Sequence, residues 1–424
     1  MDDEDWAGWP ELWAGTEADM RVVMGAILRE VKDGFRYEEI PWQRFPHFYG
    51  PGEEVPGRLT TLASEDAEDA GRALGELWEH LHHQGSTIAV GALAVPFLLR
   101  IAVTGLAGLR ADTLRLVAEI GRCQHFGDGT REGLLQVTED PLEVEGTTMC
   151  PTNWTIQAAR DAITDDLHLV FPLLSDPDPD VRSEAAFVLA EATSDIQRVS
   201  STLHHMLAEE DDPVVCVSLT LAIARLAREH QDENAPSWAR ELWSDPGRSP
   251  EIRIGAGLAW LCLVDDPAPD ELRALLTDLS TDRCSDLFQR VPWIRPVDYY
   301  GSGLRRCIHE MLTPDLPYPS DGPSPFCEEP STFSCGQPDR TGLAIDPGQP
   351  SAATGPSPRP PTLPEKLRPQ LDSAATPTWT EKTQMEFLLT SVKGSTRPLA
   401  ERQDVSRRRV QRYRAGALAA VPTA

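Results

Sequence analysis

The stretch LVFPLLSDPDPDVRSEAAFVLAEA, residues 169–192, decides the fold, because its pattern returns twice further along the chain. Asp178-Pro179 is followed by Val181, Ala185, Val188, Leu189 and Ala192. Asp212-Pro213 is followed by Val215, Leu219, Ala222, Ile223 and Leu226, and Ser249-Pro250 by Ile252, Ala256, Ala259, Trp260 and Leu263. Counted from the first Val or Ile, the apolar offsets are 0, 4, 7, 8 and 11 each time, which is one face of an α-helix. The Asp or Ser stands where a side-chain oxygen accepts the orphan N–H groups of a helix start. Pro follows at the first helical position, where it loses no hydrogen bond. The copies step by 34 and 37 residues, and a helical unit at that period predicts stacked helix pairs, an α-solenoid.

These residues resemble the HEAT-repeat proteins of the armadillo-like class, in which DPDPxVRxxAAxxL opens the second helix of a pair. Arg182 and Arg253 match that pattern, and Cys216 departs from it. WQRFPHFYGPGEEVPGRL at 42–59, HHQG at 82–85 and AVPFLL at 94–99 are similar to an actinomycete group of HEAT-like proteins, where a W…HxYG…VP stretch precedes the first helix pair. The resemblance implies an all-α, armadillo-type superhelix that serves as a scaffold for a protein partner and is not an enzyme.

Composition sets the surroundings of that array. With 424 residues, 40% of them hydrophobic, there is material for a large core. The longest apolar run, 88–103, contains Pro96 and Arg100 and falls short of the roughly 18 residues a membrane span needs; it reads as a buried helix. The start MDDEDW is acidic where a signal peptide carries positive charge, so a cytoplasmic chain with no membrane contact is expected. Eight cysteines lie scattered with no C-x-x-C pair and read as reduced, structural thiols. The net charge is −28, yet residues 378–416 hold nine Lys or Arg against four Asp or Glu, which leaves −33 on the remainder. A basic interaction tail on an acidic body is the pattern.

In chain order, residues 1–55 form an acidic N-terminal segment with one amphipathic helix, at 16–31. The repeat array spans 56–312. Helices are expected at 64–83, with Ser64 at its start, at 86–103, capped by Ser86, and at 106–121. An extended loop follows at 124–152, then a restart at 153–174, the three clear copies, and closing helices at 269–279 and 304–312. Residues 313–377 hold sixteen of the 37 prolines and read as a disordered linker.

Residues 378–416 divide into three short helices, with Ala400, Val405, Val410 and Tyr413 at the offsets a helix-turn-helix buries. The run F-L-L…K-G-S-T…VS-x-R-x-V-x-R-Y resembles the small helix-turn-helix that opens the telomere-associated terminal proteins of linear actinomycete replicons. Asp404 stands where that family has Gly, and Arg408 where it has Thr. The resemblance implies DNA binding through Ser406, Arg407, Arg408, Gln411 and Arg412, the exposed positions of the third helix. Residues 417–424 form a tail. The alternative is a purely protein-binding solenoid whose basic tail is vestigial.

No residues of this chain are expected to be catalytic, to hold a cofactor or to bind a metal. Asp176, Asp178 and Asp180 have calcium-loop spacing, but Val181 and Phe187 stand where such a loop needs Gly and Glu, so helix capping is the reading. His80 and His83 share a helix end with no acidic or thiol cluster to complete a metal set. The acidic turns SDPDPD, EEDDP and DDPAPDE predict a carboxylate row along one edge. Such a row suits a partner with a basic surface, or the chain's own basic tail folded back.

Overall fold

A computed structural model describes residues 15, 19–45, 47, 49–83, 86–122, 128–136, 152–297, 302–316 and 318. These residues are almost wholly helical. The first half runs α1 (Met20–Gly25), α2 (Arg29–Asp33), α3 (Val55–Leu62), α4 (Ala67–Leu81), the two-residue strands β1 (His82–His83) and β2 (Ser86–Thr87), α5 (Ala89–Thr104) and α6 (Arg110–Ile120). The second half runs α7 (Thr152–Asp165), α8 (Leu167–Val170), α9 (Pro179–Leu189), α10 (Ile196–Glu209), α11 (Pro213–Glu229), α12 (Ala235–Ser244), α13 (Pro250–Leu263), α14 (Asp270–Leu279), α15 (Asp282–Phe288) and α16 (Gly303–Leu312). α6 packs on α9, α9 on α11 and α11 on α13, while α10 and α12 lie against α11 and α13. Among the described residues no helix is long and apolar enough to cross a membrane.

The repeated Asp-Pro and Ser-Pro starts act as caps. Asp178 accepts from the Asp180 N–H, Asp212 from the Val214 and Val215 N–H groups, and Ser249 from the Ile252 N–H. Asp176 accepts from the Asp178 N–H and pairs with Arg110, so the Asp-x-Asp-x-Asp run serves turns and helix ends. Position 1 after each Val or Ile has a structural task too. Arg182 Nη1 donates to the Asp176 carbonyl at 2.9 Å, and Arg253 Nε to the Trp243 carbonyl at 3.0 Å. Both tie the second helix of a pair to the chain just before it. Cys216, at the same place, reaches the Glu210 carbonyl with a weaker S–H donor at 3.3 Å.

Several sequence expectations are corrected. The helix expected at 16–31 is two short ones, because Leu28 adopts an extended backbone (φ −67°, ψ 149°) between Gly25 and Arg29. Asp66, not Ser64, caps α4, accepting from the Glu68 and Asp69 N–H groups. Ser86 caps nothing; it pairs with His83 in the β1–β2 ribbon, and α5 starts at Ala89. The helices of the three copies also bury more than one face. Every residue from Val214 to Ala227 in α11 is buried, the signature of a helix covered on all sides. In the third copy Ile252 and Leu263 are only half-buried, and Ile254 sits in the core instead.

The carboxylate row is interrupted, since Asp176, Asp180 and Glu210 pair with Arg110, Arg290 and Arg182. Residues 128–136 of the expected loop are turns without a helix, Thr152 already opens α7, and the rest of that loop lies outside the described residues. So do residues 319–424, which include all but the first few residues of the proline-rich linker expected at 313–377, the helix-turn-helix at 378–416 and its Ser406, Arg407, Arg408, Gln411 and Arg412.

Candidate functional site

Two non-helical segments cross the inner side of the α6–α9–α11–α13 layer and seal charged side chains beneath them. The first is the strap 128–136. Arg228 of α11 donates to the carbonyls of Arg131 and Glu132 at 3.0 and 2.9 Å, and Arg122 donates to those of Leu134 and Gln136 at 3.3 and 3.1 Å. Arg131 in turn donates to the carbonyls of Met311, Asp266 and Val264, at the ends of α16 and α13. The Gly129 N–H completes the attachment on Glu310 at 2.8 Å. The second segment follows α15. Trp293 stacks edge-on against Phe187 of α9 with ring centres 4.7 Å apart, while Arg295 pairs with Glu184 and Arg290 with Asp180.

Beneath these covers Glu119, Glu184 and Glu191 face Arg122, Arg225 and Arg295. Glu191 is fully buried, with Arg225 Nη2 at 3.5 Å and Arg160 Nε at 3.6 Å from its Oε2. Burial pushes the Glu184 carboxyl up to about 7 despite Arg295, and raises Glu119 despite Arg122 and Arg115. Glu229 sits at the mouth of the same network. Burial would raise it, but the Arg160 hydrogen bond at 2.6 Å and the neighbouring Arg225 prevail and hold it at about 2. Glu184 Oε2, both carboxylate oxygens of Glu191, and Arg225 Nε and Nη2 make no hydrogen bond among the described residues. Incompletely bonded buried charge of this kind is costly.

The histidines expected at the end of α4 part company. His80 stacks on His47 of the HxYG stretch, ring centres 4.0 Å apart and 21° from parallel, whereas His83 belongs to β1. The Tyr49 N–H donates to His47 Nδ1 at 3.2 Å, so the ring proton is assigned to Nε2. Burial, with His80 beside it, lowers His47 to about 4. Among the described residues no group of three His, Cys, Asp or Glu could hold a metal ion. A groove of about 290 Å³ between α3 and α4 is lined by Glu54, Arg58, Asp69, Arg72 and Glu76, whose charges pair with one another. Burial pushes the Cys216 and Cys262 thiols up to about 12 and raises Cys307, which leaves them protonated and poor nucleophiles.

Sequence reasoning missed the sealed charges, although a signal was present. Glu191, Arg225 and Cys262 stand ten residues after the first Val or Ile of their copies. An acid and a base at one repeat position, next to apolar neighbours, is the mark of a pair formed across stacked copies. The strap left no such mark, because apart from Arg122 its contacts lie about 100 to 180 residues away.

No protein-family model matches the chain, and no curated protein matches it. Among solved structures, an engineered protein studied by the Northeast Structural Genomics Consortium is similar at a TM-score of 0.32, with 16% identity over 61% of this chain and 95% of that one. A likeness of that size carries no argument about fold or function.

Proposed function

We propose that the helical array is a HEAT-like α-solenoid that acts as a non-enzymatic scaffold for a protein partner with a basic surface, and that residues 378–416 add a tethered DNA-binding helix-turn-helix. One observation carries the first part: between residues 152 and 297 seven of the twelve arginines are buried or half-buried, while most of the unpaired charge left at the surface is carboxylate. Between residues 152 and 297 there are 26 Asp or Glu against 12 Arg and no Lys, a net −14. Arg160, Arg182, Arg225, Arg253 and Arg273 are held by internal carboxylates or carbonyls. Glu209, Asp211, Asp232, Glu233, Glu241 and Asp245 stay exposed. An outward field of one sign steers an oppositely charged partner and makes its association salt-sensitive.

The test is capture by the full chain from extract of its own cells, compared with the variant Glu209→Lys, Asp211→Lys, Asp232→Lys. A partner retained by the wild type at low salt, released at high salt and lost by the variant supports the scaffold. Equal capture by both proteins overturns the acidic-surface reading. For the DNA half, gel shifts with the full chain and its Arg408→Ala variant at low salt decide; no shift with either removes the helix-turn-helix.

A further inference from the structure

We propose that the strap 128–136 is a displaceable internal ligand, and that the face it covers receives an extended peptide segment of the protein partner in its place. This inference rests on the scaffold reading above and names the site at which that scaffold grips.

The strap is held as a bound peptide is held. Arg122 and Arg228 read backbone carbonyls at four of its residues, and Glu310 reads a backbone N–H. Contacts of that kind accept almost any sequence. Sequence enters at two places. The Arg131 guanidinium caps the carbonyl ends of α13 and α16, and Leu134 and Leu135 are buried. A competing segment therefore carries one arginine followed, three residues on, by a pair of aliphatic side chains.

The face below the strap has the chemistry of a recognition surface rather than of a core. A layer made only to close would be stabler with apolar side chains, because a buried ion pair rarely recovers its desolvation cost. Here the strap lies on Arg122, which is fully buried, and on Arg228 and Glu310, and the same layer holds the buried ion pair of Glu191 and Arg225. Opening the strap breaks its bonds to Arg122, Arg228 and Glu310, and water or the backbone of a partner segment can replace them, which lowers the free-energy difference between covered and uncovered states. The shared edge of the strap and α16 is correspondingly exacting. A Cβ on Gly129 would lie 2.9 Å from Cys307 Cα and 3.1 Å from its N, and backbone atoms cannot yield as a side chain tip does. Gly129→Val thus loosens the strap without altering Arg122, Arg228, Glu310 or the carbonyls they stand beside.

The experiment uses the full chain and a fluorescein-labelled peptide DGTREGLLQ, the strap's own sequence, followed by fluorescence anisotropy. The Gly129→Val protein is expected to bind the peptide at least about tenfold more tightly than the wild type, in which the strap holds the site closed and reduces apparent affinity by the open fraction. The peptide with Ala in place of its arginine should lose about tenfold or more of that binding. Equal or undetectable binding by wild type and a cooperatively melting Gly129→Val protein overturns the proposal. Should that variant fail to fold, hydrogen exchange of the wild type decides instead. Strap amides exchanging well before those of α11 and α13 support displacement; strap amides that exchange only with global unfolding overturn it. Neither readout needs the natural partner. A partner captured by a chain that ignores the peptide would sink the strap alone, and the scaffold would stand.

Discussion

Glu191 and Arg225 occupy the same position of successive sequence copies and meet in the interior, Oε2 to Nη2, at 3.5 Å. Arg160 approaches the same carboxylate from α7, and Glu229 holds both arginines from the other side. Helices α7 and α11 and the turn that follows α9 are tied together by one buried ionic node.

Removing one member of that node strands its partner. Arg225→Met should destabilise the chain by about 3–5 kcal/mol, whereas Glu191→Met with Arg225→Met, which leaves the Arg160–Glu229 pair intact, should cost much less than Arg225→Met alone. Urea unfolding of the single and double variants measures the difference; additive losses would show that the two side chains do not interact.

Leu189 and Ile223 are the repeat's core positions at offset 8, and both are buried. Leu189→Ala or Ile223→Ala should each cost about 2–5 kcal/mol, the transfer term plus the cavity left in a close-packed layer. A loss near zero would place these residues outside the core and undo the repeat register.

Glu184 makes stability depend on pH in a defined direction. Its carboxyl stands at about 7 in the folded chain, above the ordinary 4.5, chiefly because burial disfavours the charged form. Between those values the folded state binds more protons than the unfolded one, so the contribution of this group is fully present below 4.5 and is lost as pH rises toward 7. Glu184→Gln should therefore gain stability relative to wild type on going from pH 5 to pH 8, by on the order of 2–3 kcal/mol. A constant gap between the two unfolding curves at both pH values would contradict this.

His47 acts in the opposite sense. Burial, then the charge it would share with His80, lower it from 6.5 to about 4, while Glu54 opposes the shift and Arg58 adds to it. The unfolded chain binds the extra proton in that window, so stability is retained above 6.5 and lost as pH falls toward 4. His47→Phe, which keeps a ring against His80, should flatten the acid limb of a Tm-against-pH profile between pH 6.5 and pH 4. An unchanged limb would assign the acid sensitivity elsewhere.

Arg408 tests the segment beyond the described residues. Arg408→Ala in the full chain is expected to weaken sequence-specific DNA binding by about 1–3 kcal/mol, while a phosphate-only contact would weaken all sequences alike and reduce the salt slope. Competition gel shifts at two salt concentrations separate these outcomes.

What the sequence by itself determined here is what neighbouring residues decide. The starts of α9, α11 and α13 follow from an Asp or Ser before Pro, since the cap needs only an oxygen two or three residues from the N–H groups it serves. The all-helical class and the buried positions at offsets 4, 7 and 8 follow from periodicity, and so does the buried α5 with Pro96 inside it. Local reading fails where chain conformation switches within a few residues: Leu28 breaks one expected helix into two, and β1–β2 takes the residues expected to cap α5. Only the tertiary structure decided what covers the inner side of the layer. The strap meets α11 and α16 across about 100 and 180 residues, and Arg295 crosses 111 residues to reach Glu184. No spacing rule encodes such pairings, because long-range contacts are selected by the shape of the surface that the earlier elements have already built. Whether Glu184 and Glu191 face water or an interior is settled by those covers. The raised ionisation of Glu184, and the charge that the strap conceals, therefore belong to the folded molecule and to no stretch of its sequence.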